Sequence, residues 1–175
     1  MKKVSLFLVL LIMLNGLTSA EKKDETKINW ISIEELKIAY AKEPRPIIID
    51  VYTSWCGWCK VMDKETYGDK KVAAYINTNY YAVKFDAEST EPIEWDSKKY
   101  TYNSYQKVHG LATFLLFGQM GYPTTVLLSA IHAQPAPIPG FMKPSQLEAP
   151  LKYFGDGIYK NTDFAVFIKD FKASW

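Results

Sequence analysis

The 175-residue sequence predicts one mixed α/β domain, a central sheet covered by helices, and three observations carry that reading. Residues 46–53, Pro-Ile-Ile-Ile-Asp-Val-Tyr-Thr, are almost continuously apolar, as expected of a strand covered on both faces. Helical and strand patterns alternate through the first half of the chain. Two strand candidates then follow one another near its end. No internal repeat and no low-complexity segment interrupts this order.

Ser32-Ile33-Glu34-Glu35 has the form of a capping box and opens a helix to about Lys42. Pro44 and Pro46 end it and deliver the chain into the strand over 46–53. From Cys56 a helix is expected toward Thr66. Tyr67-Gly68-Asp69 breaks that helix, and Asp69 can cap another reaching about Asn77. A second strand is expected over 80–86. Residues 88–103 are polar and aromatic and read as a loop or insertion. Residues 104–117 carry helical spacing through Tyr105, Val108, Leu111, Ala112 and Leu115, with Gly118 and Gly121 as stops. Residues 124–128 make a third strand, with which 136–142 can pair after a Pro-rich turn. Pro144 can begin a helix, with an interruption expected near Pro150. Thr162-Asp163 can cap a last helix to about Phe171.

The N-terminus has a different character. Met1-Lys2-Lys3 is basic, residues 4–14 are apolar, and Thr18-Ser19-Ala20 is a small-residue exit. Those are the parts of a secretory signal peptide, and the apolar run falls short of the ~20 residues of a membrane span. The expectation is a signal peptide over 1–20, a charged lead-in over 21–31 and a folded domain over 32–175. The alternative is an uncleaved N-terminal anchor. Either would export the domain to a compartment where disulfides persist, and a periplasmic location is expected. Without Lys2 and Lys3 the chain carries 19 basic and 19 acidic residues. A formally neutral chain with no long basic run gives no reason to expect nucleic acid as a partner.

Trp55-Cys56-Gly57-Trp58-Cys59-Lys60 holds both cysteines of the chain. Cys56 falls at a helix start, where unpaired N–H groups and the helix dipole favour a thiolate. Cys59 follows nearly one turn later, close enough to close an intramolecular disulfide. One sulfur can attack a partner's disulfide and the other can resolve the mixed intermediate. Three other readings stay open on the residues alone. A structural disulfide closing so small a loop would remove little chain entropy. A zinc half-site would need two more ligands, and His109 and His132 are too far apart for the usual spacing. The third is a chance CxxC. No metal and no cofactor is expected.

Taken together, Ile49-Asp50-Val51, Trp55-Cys56-Gly57-Trp58-Cys59-Lys60 and Gly121-Tyr122-Pro123-Thr124 resemble the thioredoxin superfamily over roughly residues 30–172. The resemblance implies a thioredoxin fold with a central mixed sheet and a helical insertion (88–120) before a cis-proline turn. It implies a thiol–disulfide oxidoreductase with Cys56 and Cys59 as the redox pair. Asp50 would be the buried acid that shuttles the Cys59 proton. Trp55, Trp58, Tyr122 and Pro123 would form the surface that meets substrate. Gly57-Trp58 between the cysteines, the insertion and the export signal depart from cytosolic thioredoxin. They look more like exported bacterial relatives, including the C-terminal domain of the transmembrane reductant conduit. The implied partners are protein disulfides and a membrane-bound thiol donor, and the chain is expected to be a monomer. A reductase is expected, against a disulfide oxidase or isomerase, or a non-catalytic binding module.

Other residues are read more plainly. A carboxylate in an apolar strand costs several kcal/mol unless paired or protonated, so a raised pKa is expected at Asp50. Lys60 could assist thiolate formation or lie in solvent. His109 is expected to be structural. Trp95, Tyr100, Tyr102 and Tyr105 are expected to cover the apolar edge of the core rather than form a substrate rim.

Overall fold

A computed structural model describes residues 26–175, so the expected leader over 1–20 lies outside the described residues. The chain enters through the two-residue strand β1 (Trp30–Ile31) and turns into α1 (Ile33–Lys42). Ser32 and Glu35 close a reciprocal capping box there, with Glu35 N–H to Ser32 Oγ at 3.1 Å and Ser32 N–H to Glu35 Oε2 at 2.8 Å. Next come β2 (Ile47–Tyr52), α2 (Gly57–Met62), a π-helical turn over Asp63–Tyr67, α3 (Lys70–Asn79) and β3 (Tyr81–Asp86). Asp69 caps α3 through the N–H groups of Lys71 and Val72.

Two small hairpins follow, β4 (Ile93–Trp95) with β5 (Lys98–Tyr100), and β6 (Tyr102–Asn103) with β7 (Val108–His109). The short helix α4 (Gly110–Leu115) leads to β8 (Thr124–Leu128), β9 (Ala136–Pro139), α5 (Pro144–Gly155), a 3-10 turn over Ile158–Lys160 and α6 (Phe164–Asp170). The central sheet has the order β1-β3-β2-β8-β9, parallel among the first three strands and antiparallel at β8 and β9. This is the expected mixed sheet flanked by helices.

Alternation along β2 divides the core between two faces. Ile47, Ile49 and Val51 pack with Leu36, Val83, Phe85, Trp95 and Leu111. Ile48 packs on the other face with Met62, Tyr67, Ile76, Leu127 and Leu147. Each such side chain, fully covered, stabilises the fold by about 1.5–3 kcal/mol. That sum is large enough for β2 to carry one buried carboxyl. By the same alternation Asp50 shares the face of Ile48, toward Met62 and Tyr67.

Several elements differ from their expected form. Trp30–Ile31, expected in the lead-in, pairs with β3, and Ile28 before it is buried. The helix expected from Cys56 to Thr66 narrows to Gly57–Met62 and then widens into the π turn. A Cβ at Gly68 would lie 2.5 Å from the Lys64 carbonyl oxygen, so the turn closes against a residue with no side chain. Residues 88–103 hold strands, and the helix expected over 104–117 is only Gly110–Leu115. Asn103 Oδ1 takes the N–H groups of Tyr105 and Gln106, and Lys107 has φ +54°, so this stretch is a turn. The helical spacing had a different origin: Val108, Leu111, Ala112 and Leu115 are all buried, though only the last three are helical. Tyr105 is 95% exposed, whereas Trp95 is fully inside the core.

The helix after Pro144 is not interrupted, and Pro150 sits inside α5. Its buried face, with Leu147 and Leu151 in the core, outweighs the backbone hydrogen bond that proline cannot donate. Glu148 on the same helix is fully covered and ion-paired to Lys152 at 2.8 Å. It also accepts from Ser174 N–H (2.5 Å), Ser174 Oγ (2.6 Å) and Trp175 N–H (3.0 Å), which fastens the C-terminal segment to the domain. Burial alone would raise its pKa, but these donors together bring it down to about 2.

Candidate active site

Cys56 is the N-cap of α2 and Cys59 lies in its first turn. The two are joined in a disulfide with Cα atoms 5.3 Å apart. Cys59 N–H donates to Cys56 Sγ at 3.0 Å, and Cys56 N–H donates to Thr53 O at 3.2 Å. The helix start therefore already aims a backbone donor at the first sulfur, as a thiolate there requires. Cys56 and Cys59 are both only 4% exposed. The Cys56 side chain is turned back onto its own helix by its bond to Cys59 rather than outward. What separates the two sulfurs is position on the helix, not exposure in this oxidised state.

The surface around them is aromatic. Trp55 and Trp58 are 65% and 62% exposed. Trp55 is steadied by an Nε1–H bond to Glu88 Oε1 at 2.9 Å and by an edge contact with Tyr122 at 6.0 Å between ring centroids. Trp58 lies 5.7 Å from the Phe141 ring, and Trp58, Tyr122, Pro123, Gly140 and Phe141 line a shallow groove. The Tyr122–Pro123 peptide bond is cis, and Pro123 O accepts from Gly140 N–H at 2.8 Å. Burial, then the nearby Glu88 and Asp86 carboxylates, raise the pKa of the Tyr122 phenol.

Asp50, on β2, is buried. Burial pushes its pKa up to about 7, against the pull of the Lys84 ammonium and with a further push from Asp63. Lys84 Nζ is 3.6 Å from Asp50 Oδ2, while Asp50 Oδ1 has no hydrogen-bond partner. A carboxyl that titrates near neutrality can both accept and return a proton at physiological pH.

Sequence reasoning missed Lys84 and Asp63. Lys84 stands opposite Asp50 in the β2–β3 register, and Asp63 binds the same ammonium through both oxygens at 2.5 Å. A lysine in the middle of the 80–86 strand was the available signal. Lys60, singled out instead, is exposed on α2. His109 is structural in the sense expected. Its Nδ1 accepts from Leu111 N–H at 3.1 Å, which leaves Nε2–H to donate to Glu91 O at 3.0 Å. Among the described residues no cluster of histidine, cysteine or carboxylate side chains could hold a metal ion.

Comparison with known proteins places the chain in a family. The family model described as "Thioredox_DsbH: Protein of unknown function, DUF255" matches residues 18–149. The chain belongs to this family. By that family it is a thioredoxin-superfamily chain. Among curated relatives, the thiol:disulfide interchange protein DsbD of Pectobacterium atrosepticum is 37% identical over 46 residues, 26% of this chain and 8% of that one. DsbD of Campylobacter jejuni is 31% identical over 74 residues, 42% of this chain and 13% of that one. The matches therefore span about a tenth of the length of these relatives. A thioredoxin-fold protein from Helicobacter pylori superposes with a TM-score of 0.55 at 18% identity, covering 71% of this chain and 83% of that one. A structure described as DsbH oxidoreductase gives 0.52 at 16% identity, covering 74% and 85%. Both likenesses concern the fold.

Proposed function

We propose that this protein is an exported reductase of disulfides in other proteins. The observation that carries the reading is the Cys56–Cys59 pair at the start of α2, with a backbone donor on Cys56 Sγ and, on the preceding strand, a buried carboxyl titrating near 7. In the reduced state, the Cys56 thiolate attacks a substrate disulfide, forms a mixed disulfide and releases one substrate thiolate. Asp50 takes the proton of Cys59, whose sulfur then attacks Cys56 Sγ. The second substrate thiolate leaves, and Asp50 can return the proton to it. Two electrons have passed to the substrate, and the protein is left as the disulfide in the structure.

Trp55, Trp58, Tyr122 and Pro123 form the surface that a substrate segment lies against in this reading. A thiol donor bound to the membrane restores the dithiol, because a reductase cannot stay reduced unaided in an oxidising compartment. The N-terminal pattern of residues 1–20 supports a periplasmic location, soluble after cleavage or anchored by that segment. The test is reduction of insulin disulfides by the prereduced protein. Stoichiometric reduction that disappears in Cys56→Ser supports the reading; inertness of the prereduced protein leaves a binding module with a structural disulfide.

A further inference from the structure

Asp50 and Lys84 are Cα partners in the β2–β3 register, so the sheet itself offers them a direct ion pair. That pair forms only at long range. The ammonium lies 2.5 Å from both oxygens of Asp63 and 3.6 Å from Asp50 Oδ2, and the other oxygen of Asp50 has no partner. It also lies over the rings of Trp30 (5.5 Å) and Tyr52 (5.2 Å). Asp63 reaches it from the π turn, a widened turn of the kind that often serves functional sites.

We propose that Asp63 is a positioning residue for the acid–base group: it holds the Lys84 ammonium closer to itself and so keeps the Lys84–Asp50 pair long rather than tightly closed. The inference rests on the reading of Asp50 as the proton carrier for Cys59. A carboxylate locked against an ammonium is a weak base and cannot act as an acid at neutral pH. With Lys84 drawn off, desolvation is left to dominate at Asp50, and the group stays poised between its two forms.

The groups around Asp50 are few. Lys84 and Tyr52 come from β3 and β2, and Asp63 from the π turn. The same turn supplies Tyr67, whose phenol shares a 2.8 Å hydrogen bond with Thr125 Oγ1 on β8. Tyr67 is held far above neutrality by burial, so it does not titrate in the relevant range. Lys27 and Lys70 line the surface opening beside Lys84 and Asp63.

The experiment is a carbon-13 NMR titration of the Asp50 carboxyl in the oxidised protein, in wild type, Asp63→Asn, Lys84→Met and the double variant. Lys84→Gln replaces Lys84→Met if that variant folds poorly. In Asp63→Asn the Asp50 midpoint should fall by about one to two pH units, as expected when an opposite charge closes on a carboxyl. Asp63→Glu should restore it. Without Lys84, Asp63→Asn should lower the midpoint by much less than it does with Lys84 present, the remainder being the direct push of the Asp63 carboxylate. No fall in the single variant, or the same fall with Lys84 absent, would overturn the proposal; the latter would mean that Asp63 acts by direct repulsion. The acid limb of the pH profile for insulin reduction should shift down with the midpoint in Asp63→Asn. The titration needs neither substrate nor turnover. Absent turnover with the expected titration therefore counts against the reductase reading alone.

Discussion

Asp50 couples the chemistry to the stability of the fold. Its folded pKa, about 7, lies above the unfolded value near 3.9, so the folded state holds a proton that the unfolded chain gives up. The associated stability is fully present below about pH 4 and is lost as pH rises through about 7. For a group this well buried the loss is a few kcal/mol. Asp50→Asn should therefore stabilise the protein at pH 7–8 by about 2–4 kcal/mol in denaturant titrations and flatten the decline above pH 4. The same variant should slow resolution of the mixed disulfide. Unchanged turnover near neutral pH would remove Asp50 from the catalytic step. For the sulfurs, Cys59→Ser should trap mixed disulfides with substrates and Cys56→Ser should not, as read on non-reducing gels. Equal trapping would reverse or erase the assigned roles. The cysteines and Asp50 were legible in the sequence because their signal is local: a spacing of three, and one acid in an apolar run. Lys84 and Asp63 were not, because the register of β2 against β3 and the widening of a helix into a π turn are set by tertiary packing.

At the scale of elements, the segment between β3 and β8 is where local pattern and structure part. Its buried apolar residues were identifiable, but the stretch spends them on a strand and one short helix rather than on a single long helix. His109 joins the two, as the last residue of β7 and the N-cap of α4. His109→Ala would leave Leu111 N–H and Glu91 O without this partner, and should cost about 1–3 kcal/mol in thermal unfolding with the redox pair intact. Pro150 is the opposite case, a residue that opposes its own helix. Its position is half-buried, so Pro150→Ala has room to gain a backbone hydrogen bond. The variant should raise stability by about 1–3 kcal/mol. A lower melting temperature would mean that α5 is bent at Pro150 to seat Glu148.

For the whole molecule, the three central strands β2, β3 and β8 and the helices around them were readable from pattern, since their signals are local. The edge strand β1 and the C-terminal clasp were not, because two-residue pairings and a glutamate receiving backbone N–H groups leave no periodic trace. Glu148 has its pKa lowered to about 2, so its contribution is present above about pH 4.3 and is lost as pH falls toward 2. With Asp50 acting in the other direction, stability should peak near pH 4–5, a profile that denaturant melts across pH 2–9 will map. The direction of electron flow is also a property of the whole fold. Gly57 and Trp58 offer Cys56 no histidine or other ionic donor, and the buried carboxyl opposes a thiolate rather than stabilising it. Strong oxidants depend on that stabilisation, at about 1.4 kcal/mol per 30 mV for a two-electron couple. The reduction potential of the Cys56–Cys59 couple, measured by equilibration in dithiothreitol redox buffers, is the most direct test. A value nearer the thioredoxin end, about −270 mV, is the result expected of a reductase; one above about −180 mV would contradict it and make the protein an oxidase or isomerase.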